Sequence, residues 1–327
     1  MSDGSSTSGG SLITVTPNPA VDVTYRLPHA KWGEVNRVQT VLRRAGGKGV
    51  NVARVLGQLG FAVEASGFLG GSNGAALSRL LEGSLVSQHW VPIALETRCT
   101  TVVTDDVSTT LLNEPGPEVS SADWRRLTAD VAARSRPGDV VILSGSCPPG
   151  TSAADVREFV QSVRASGAVI VVDTSGPLLT TAADAGADLL KPNHHELREV
   201  TGTDDVIRGA EALIARGARV VAVSRGAQGI VVVAGRGPQV RAWQAAPVEV
   251  VQGNPTGAGD AAVAAFALAL RRVAQGASLE VVLPVELGRA VALSAAAVLA
   301  PVAGVVDLPA YERFLKDVKV EEVNVVS

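Results

Sequence analysis

The run Asn254-Pro255-Thr256-Gly257-Ala258-Gly259-Asp260 leads directly into an alanine-rich stretch, 261–270, that reads as a helix. A glycine-rich turn feeding a helix N-terminus presents unpaired backbone N–H groups and the positive end of the helix dipole, which together suit a phosphate. Asp260 adds a proton acceptor beside that anion. Two readings of Asp260 stand side by side: a base for phosphoryl chemistry, or an acid that merely complements the dipole, as is common at helix starts. Gly257, Gly259 and Ala262 also satisfy the G-x-G-x-x-A fingerprint of dinucleotide-binding folds. That fingerprint is followed about 20 residues on by an acid ending a strand. Glu280 stands at the right distance, but in a segment that reads as the start of a helix.

Ala45-Gly46-Gly47-Lys48-Gly49-Val50-Asn51-Val52-Ala53-Arg54 is a second glycine-rich turn entering a helix. It is not the phosphate loop G-x-x-x-x-G-K-[ST], since Leu42 and Gly49 occupy the positions of the first Gly and the Ser or Thr. Its glycines still permit close backbone approach, and Lys48 and Asn51 can bind anionic and hydroxyl groups; a turn with a solvated lysine is the plainer alternative. In Lys191-Pro192-Asn193-His194-His195-Glu196, Asn193 and Glu196 have the spacing of a capping box. The same pair suits a hydrated Mg2+, which keeps several waters and seldom needs a protein cage. Adjacent His194 and His195 would point about 100° apart on a helix and cannot readily share a zinc ion.

These residues need a scaffold. Short β-branched runs at 12–16, 62–67, 140–144, 168–173, 187–191 and 220–224 alternate with helical patterns at 49–60, 75–82, 122–135, 153–165, 196–201 and 206–217. Such alternation predicts an α/β fold with a doubly wound, mostly parallel sheet, whose ligands collect at the C-terminal strand ends. Asn18, Asp22, Ser144, Ser146, Asn193 and Glu196 fall there. Two segments break the pattern, 21–43 and 97–113, and read as a small β lid over a core made of 12–20, 44–96 and 114–327. A lid excludes water from a reactive phosphoryl group; a plain hairpin extension or dimer contact is the compatible alternative.

The 327 residues are 46% hydrophobic but only 3% aromatic, so the core must be built mainly from Ala, Val and Leu. A net charge of -3 gives no basic field for nucleic acid and leaves small molecules as the expected partners. Cys99 and Cys147 are too few for a disulfide framework and read as buried fillers in a reducing cytoplasm. Residues 1–11, rich in Ser and Gly, read as a disordered tail and not a signal peptide. The apolar stretch 281–306 is interrupted by Pro284, Glu286, Arg289 and Pro301, so no membrane span is expected there; it reads as core.

Four segments in this order, Thr16-Pro17-Asn18-Pro19-Ala20-Val21-Asp22, then 45–54, 191–196 and 254–260, resemble the ribokinase-like (PfkB) carbohydrate kinase family. The likeness covers nearly the whole chain from about Leu12. The first two segments, with Ser144-Gly145-Ser146-Cys147-Pro148-Pro149-Gly150 and Asn113-Glu114-Pro115-Gly116-Pro117, look like its hexose-phosphate branch. The resemblance implies that Asp260 is the general base and that the N–H groups of Gly257, Ala258 and Gly259 form the anion hole for the γ-phosphoryl. It implies that Asp22, Gly46, Gly47, Lys48, Asn51 and Ser146 hold the sugar phosphate, with Arg98 adding charge from the lid. ATP would meet Lys191, Asn193, Ser224, Gly226, Gly229, Thr256, Gly257 and Gly259, with Ala297 in the wall around adenine. Asn193 and Glu196 would organise Mg2+ through water, and a monovalent cation would sit near Asn254 and Thr256. A homodimer through the lid is expected, and fructose 1-phosphate is the first expected substrate, tagatose 6-phosphate the second. Two features depart from the branch: its T-R-x-N-V-K reads Thr97-Arg98-Cys99-Thr100-Thr101-Val102, with Thr100 and Val102 in place of the amide and the lysine, and Ala261 stands where many relatives have Ser.

Overall fold

The computed structural model describes residues 10–235 and 239–323. In chain order, β1 (Leu12–Thr16) is followed by β2 (Ala20–Arg26), β3 (Thr40–Gly46), α1 (Lys48–Gln58), β4 (Val63–Leu69), α2 (Gly71–Leu81), β5 (Val86–Pro92), β6 (Arg98–Thr104) and β7 (Thr109–Asn113). Then come α3 (Ser121–Arg134), β8 (Val140–Ser144), α4 (Ala153–Ala165), β9 (Val169–Asp173), α5 (Pro177–Asp184), β10 (Leu189–Leu190), α6 (His194–Thr201), α7 (Val206–Arg216) and β11 (Val220–Ser224). The chain closes with β12 (Ile230–Ala234), β13 (Arg241–Ala245), α8 (Ala258–Ala274), α9 (Leu279–Val298), α10 (Leu308–Asp317) and β14 (Val320–Val323).

The main sheet has the order β14-β13-β12-β11-β10-β9-β8-β1-β4-β5. From β11 to β5 it is parallel, and β12 to β14 extend it antiparallel. Successive strand residues face opposite sides, and here both sides are buried. Leu12, Val140, Ile142, Val171 and Ala222 face α1, α8 and α9, while Ile13, Val15, Val141, Leu143 and Val172 face α3, α4 and α7. The expected α/β class is therefore the observed one. On the α3 and α4 side a few aromatics do the filling: Trp124 meets Phe68 and Phe159 edge to face, at 5.4 and 6.1 Å between ring centres.

A second sheet, ordered β3-β2-β6-β7, stands on Val21, Val23, Ala45 and Leu77. Its strands overlap the two segments expected to be extended, with β3 running on to Gly46, beyond the expected boundary at 43. The first nine residues of the expected tail lie outside the described residues. Its last two are tied to the core: Ser11 N–H donates to Asp139 Oδ1 at 2.6 Å, and Gly10 C=O accepts from Arg271 Nε at 2.8 Å.

The apolar stretch near the C-terminus is core, but three of the four expected interruptions do not break its helix. α9 passes through Pro284, Glu286 and Arg289 without a break. By length and composition this helix would suffice to cross a membrane, yet 67% of its apolar window is buried inside the molecule. Glu286, with no exposed side-chain surface, accepts from Arg272 at 3.0 Å and Arg289 at 2.7 Å, so its charge enters the core compensated.

Candidate active site

The strands β1, β8, β9, β10 and β11 end on one edge, on either side of the point where the chain's winding reverses between β1 and β8. Ligand sites of open α/β sheets gather at such a reversal. Asp173, the last residue of β9, is buried there at 1% exposure. Ser144 Oγ, from the end of β8, donates to its Oδ2 at 3.1 Å. Lys48 Nζ lies 3.4 Å from Oδ2 and Lys191 Nζ 3.5 Å from Oδ1. Burial pushes the Asp173 carboxyl up, but the two lysines and Ser144 overcome this and hold it below its ordinary value. Asp173 in turn raises Lys48. The sequence reading does not single out Asp173, although its place at a core strand's C-terminal end is a signal that could have found it.

Asp260 sits in the first turn of α8. Gly257 caps that helix with φ 96°, in the left-handed region, and a Cβ there would stand 3.0 Å from Ala303 Cα. The alternation of Gly257 and Gly259 thus serves a tight backbone approach. Asp260 is 5% exposed, and its Oδ2 accepts from Asn51 Nδ2 at 2.9 Å across the α1–α8 contact. Burial first, then the negative charge of Asp173, push its pKa up to about 6 against the pull of Asn51, Lys48 and Lys191. An acid that only complements a dipole has no need to leave water; this one has left it. Asn51, expected at the sugar, is committed to Asp260. Around the turn, Ala258 N–H reaches back to Pro255 C=O at 3.3 Å, a long bond, and a Cβ on Gly259 would be 3.5 Å from Lys191 Nζ.

Two cavities meet at this turn. One, of about 820 Å3, lies under the lid between Asp22, Arg44, Thr100 and Val102 on one side and Gly253 to Thr256 on the other. The other, of about 670 Å3, is lined by Asn193, Ser224, Gly226, Gly229, Gly259 and the α9 residues Val291, Ser294, Ala295 and Val298. Gly253 and Pro255 border both, so the loop that ends in Gly257 is the partition between them.

Asp22 is the lid's acid. It pairs across the strands with Arg44 of β3 and Thr100 of β6. A Cβ on Gly46 would fall 2.1 Å from its Oδ2, so that glycine leaves the carboxylate its room. Burial raises Asp22 to about 6, opposed by Arg98, a bond from Thr100 and Arg44. Arg98 spends its donors on neighbours: Nε reaches Asn18 C=O at 3.2 Å, and Nη1 reaches Glu114 C=O at 3.3 Å.

Asn193 and Glu196 form the capping box. Asn193 Oδ1 accepts from the N–H groups of His195 and Glu196, both at 2.9 Å, and Glu196 Oε2 accepts from Asn193 N–H at 2.8 Å. Asn193 also bridges to Ser224, which brings the ends of β10 and β11 together. His194 and His195, their ring centres 3.7 Å apart and tilted at 40°, line the second cavity, a role the sequence reading missed. Among the described residues no cluster of three or more His, Cys, Asp or Glu could cage a metal.

Some expected site residues stand elsewhere. Ala297 is buried in the core at 2% exposure, because the helix face turned to the second cavity is that of residues 291, 294, 295 and 298. Thr256 lines the lid cavity and not the second one, and Ser146 borders a separate recess with Cys147 and Thr174. Burial pushes the Cys147 thiol up to about 12, which suits a filler and not a nucleophile. Glu280 opens α9 and pairs with Arg241 at 2.9 Å on the surface, so the dinucleotide fingerprint lacks its strand-end acid.

A doubly wound sheet, a lid, and two cavities separated by a glycine turn with a buried carboxylate define a two-substrate enzyme of the small-molecule transferase class. The pfkB family carbohydrate kinase model matches residues 15–305. The 1-phosphofructokinase of Xanthomonas campestris pv. campestris is 36% identical over 269 residues, 79% of this chain and 83% of that one. The 1-phosphofructokinase of Haemophilus influenzae is 32% identical over 95% of this chain and 98% of its own length. Among solved structures, phosphofructokinase-2 from Escherichia coli in complex with potassium superposes with a TM-score of 0.84 at 27% identity, covering 94% of this chain and 98% of that one. The chain belongs to the pfkB family of carbohydrate kinases and is a phosphotransferase with an alcohol acceptor.

Proposed function

We propose that this kinase transfers the γ-phosphoryl group of ATP to fructose 1-phosphate, giving fructose 1,6-bisphosphate. The observation that carries the reading is the position of Asp260: a buried carboxylate in the helical turn just after the loop that divides a lid cavity from a nucleotide-sized one. The sugar phosphate occupies the lid cavity and ATP the other, with adenine against Val291, Ser294, Ala295 and Val298. Asp260 takes the proton of the acceptor hydroxyl as that oxygen bonds to the γ-phosphorus; the bond from phosphorus to the bridging oxygen breaks and ADP leaves. Gly257, Ala258 and Gly259 direct N–H groups at the phosphoryl oxygens, and Lys48 and Lys191, fixed by Asp173, add positive charge from beneath.

Family membership implies a divalent ion with the nucleotide. The donor set here fits Mg2+ that retains its waters: Asp173 Oδ1 is a buried oxygen without a hydrogen-bond partner, and the charge of Glu196 acts on Lys48 beside it. Asn193 and Glu196 would hold it through water, and when bound it neutralises phosphate charge. The potassium in the E. coli structure supports a monovalent ion here too; its place near Asn254 and Thr256 rests on the family resemblance. Exposed Trp32 and Val35, 68% and 91% accessible on the lid, support a homodimer through that sheet.

A second reading, a kinase of tagatose 6-phosphate or of an unphosphorylated sugar or nucleoside, draws on Val102, an apolar residue on the cavity wall. A panel of these acceptors with ATP, read by ADP release, separates them. Highest kcat/KM with fructose 1-phosphate is expected; preference for an unphosphorylated acceptor would overturn the reading.

A further inference from the structure

The lid cavity holds a cation that no reading so far employs. Arg44 stands directly across from Asp22 on β3 and lines the cavity together with Thr100 and Val102 of β6. Cross-strand partners project from the same face of a sheet, so Arg44 and Asp22 look into one space. Position 102 contributes a valine to that space and position 100 a hydroxyl. Arg26, at the far end of β2, also lines the cavity but from an exposed position, while Lys48 and Arg98 are engaged. Lys48, its side chain 43% exposed, is paired with Asp173, and Arg98 is anchored on the carbonyls of Asn18 and Glu114. Arg44 differs: its Nε is buried and has no hydrogen-bond partner, and Asp22, the acid acting on it, is also flanked by Arg98. A guanidinium with donors to spare, at the cavity wall facing the Gly253–Thr256 partition, is suited to a planar, two-point grip on a phosphate monoester.

We infer that Arg44 is a specificity-determining residue, which binds the non-reacting phosphate of the sugar substrate from strand β3 while Asp22 beside it binds a sugar hydroxyl. The inference rests on the sugar-phosphate reading above, and assigns the charge that Val102 does not supply. The acceptor then spans the cavity with its reacting hydroxyl at Asp260 and its phosphate at Arg44. Discrimination against unphosphorylated sugars follows, since such a ligand would leave Arg44 without its anion.

The test is fructose 1-phosphate binding by calorimetry in the absence of ATP, on wild type, Arg44→Gln and Arg44→Lys, with unphosphorylated fructose as the control ligand. Arg44→Gln is expected to weaken fructose 1-phosphate binding tenfold or more and fructose binding less than twofold, and Arg44→Lys to recover part of the loss. A thermal melt confirms that the variants are folded, and the KM for ATP should stay within twofold of wild type. A Kd for fructose 1-phosphate unchanged in Arg44→Gln would overturn the assignment, as would equal weakening for both ligands, which would mean that Arg44 only braces Asp22. Turnover of wild type across the acceptor panel tests the kinase reading separately. Robust turnover of a sugar phosphate with an Arg44→Gln enzyme of unchanged affinity would sink Arg44 and leave that reading standing.

Discussion

At the scale of single residues, the site is an arrangement of opposed charges around two buried carboxylates, Asp173 and Asp260. Asp260 has its pKa raised from 3.8 to about 6, close enough to neutrality to accept a proton and still be ionised at pH 7. The acid limb of kcat/KM should therefore fall with an apparent pKa near 6, as a pH–rate profile will show. In Asp173→Asn that limb should move to lower pH, because the lost negative charge is one of the causes that raise Asp260; an upward shift would contradict the electrostatic assignment. Stability carries the opposite signature. A carboxyl whose folded value lies above its unfolded one stabilises the fold most below the unfolded value, and that contribution is lost as pH rises through about 6. Ionised Asp260 then costs the fold roughly 3 kcal/mol. Asp260→Asn should accordingly melt higher than wild type at pH 7.5, with the gain shrinking toward pH 4, a comparison that calorimetry makes directly.

At the scale of elements, what counts is where helices begin and strands end. α8 starts at a glycine in the left-handed region, with Ala303 Cα 3.0 Å from any Cβ placed there. Gly257→Ala should strain this start by about 1 to 3 kcal/mol and weaken ATP binding while secondary structure by circular dichroism is preserved. Elements with a strong local pattern were legible in the sequence: β1, β8, β11 and α4 have the expected bounds, since β-branched runs and capped amphipathic repeats announce themselves. Other elements were not. β10 shrinks to Leu189–Leu190 because the parallel ladder fades where the chain turns toward Pro192, and α2 begins at Gly71, inside a segment too rich in Gly and Ser to read as helix. β14 pairs with β13, Val323 opposite Ala242, over a separation that no local window contains.

At the scale of the whole molecule, function comes from bringing distant segments to one edge of a sheet. Asn51 and Asp260 are 209 positions apart and share a hydrogen bond. The glycine turns and Asp260 could be read from the sequence because helix N-termini with nearby acids have a recognisable chemistry. Arg44 could not, since it looks like an ordinary strand residue until the sheet places it beside Asp22, whereas Asp173 had a signal that the sequence reading missed, its place at the end of a core strand. The lid's exposed Trp32 belongs to this scale as well. If the lid joins two copies, Trp32→Ser should shift the sedimentation profile toward monomer; an unchanged profile would leave the dimer without its surface.

The most direct test of the central claim, that Asp260 is the base of a sugar-phosphate kinase, is the rate of ADP release with saturating ATP and fructose 1-phosphate in wild type and Asp260→Asn. The account predicts a fall in kcat on the order of a thousandfold or more, with sugar-phosphate affinity nearly unchanged, because the lost group acts on the reacting proton and not on binding. Turnover within tenfold of wild type would contradict it.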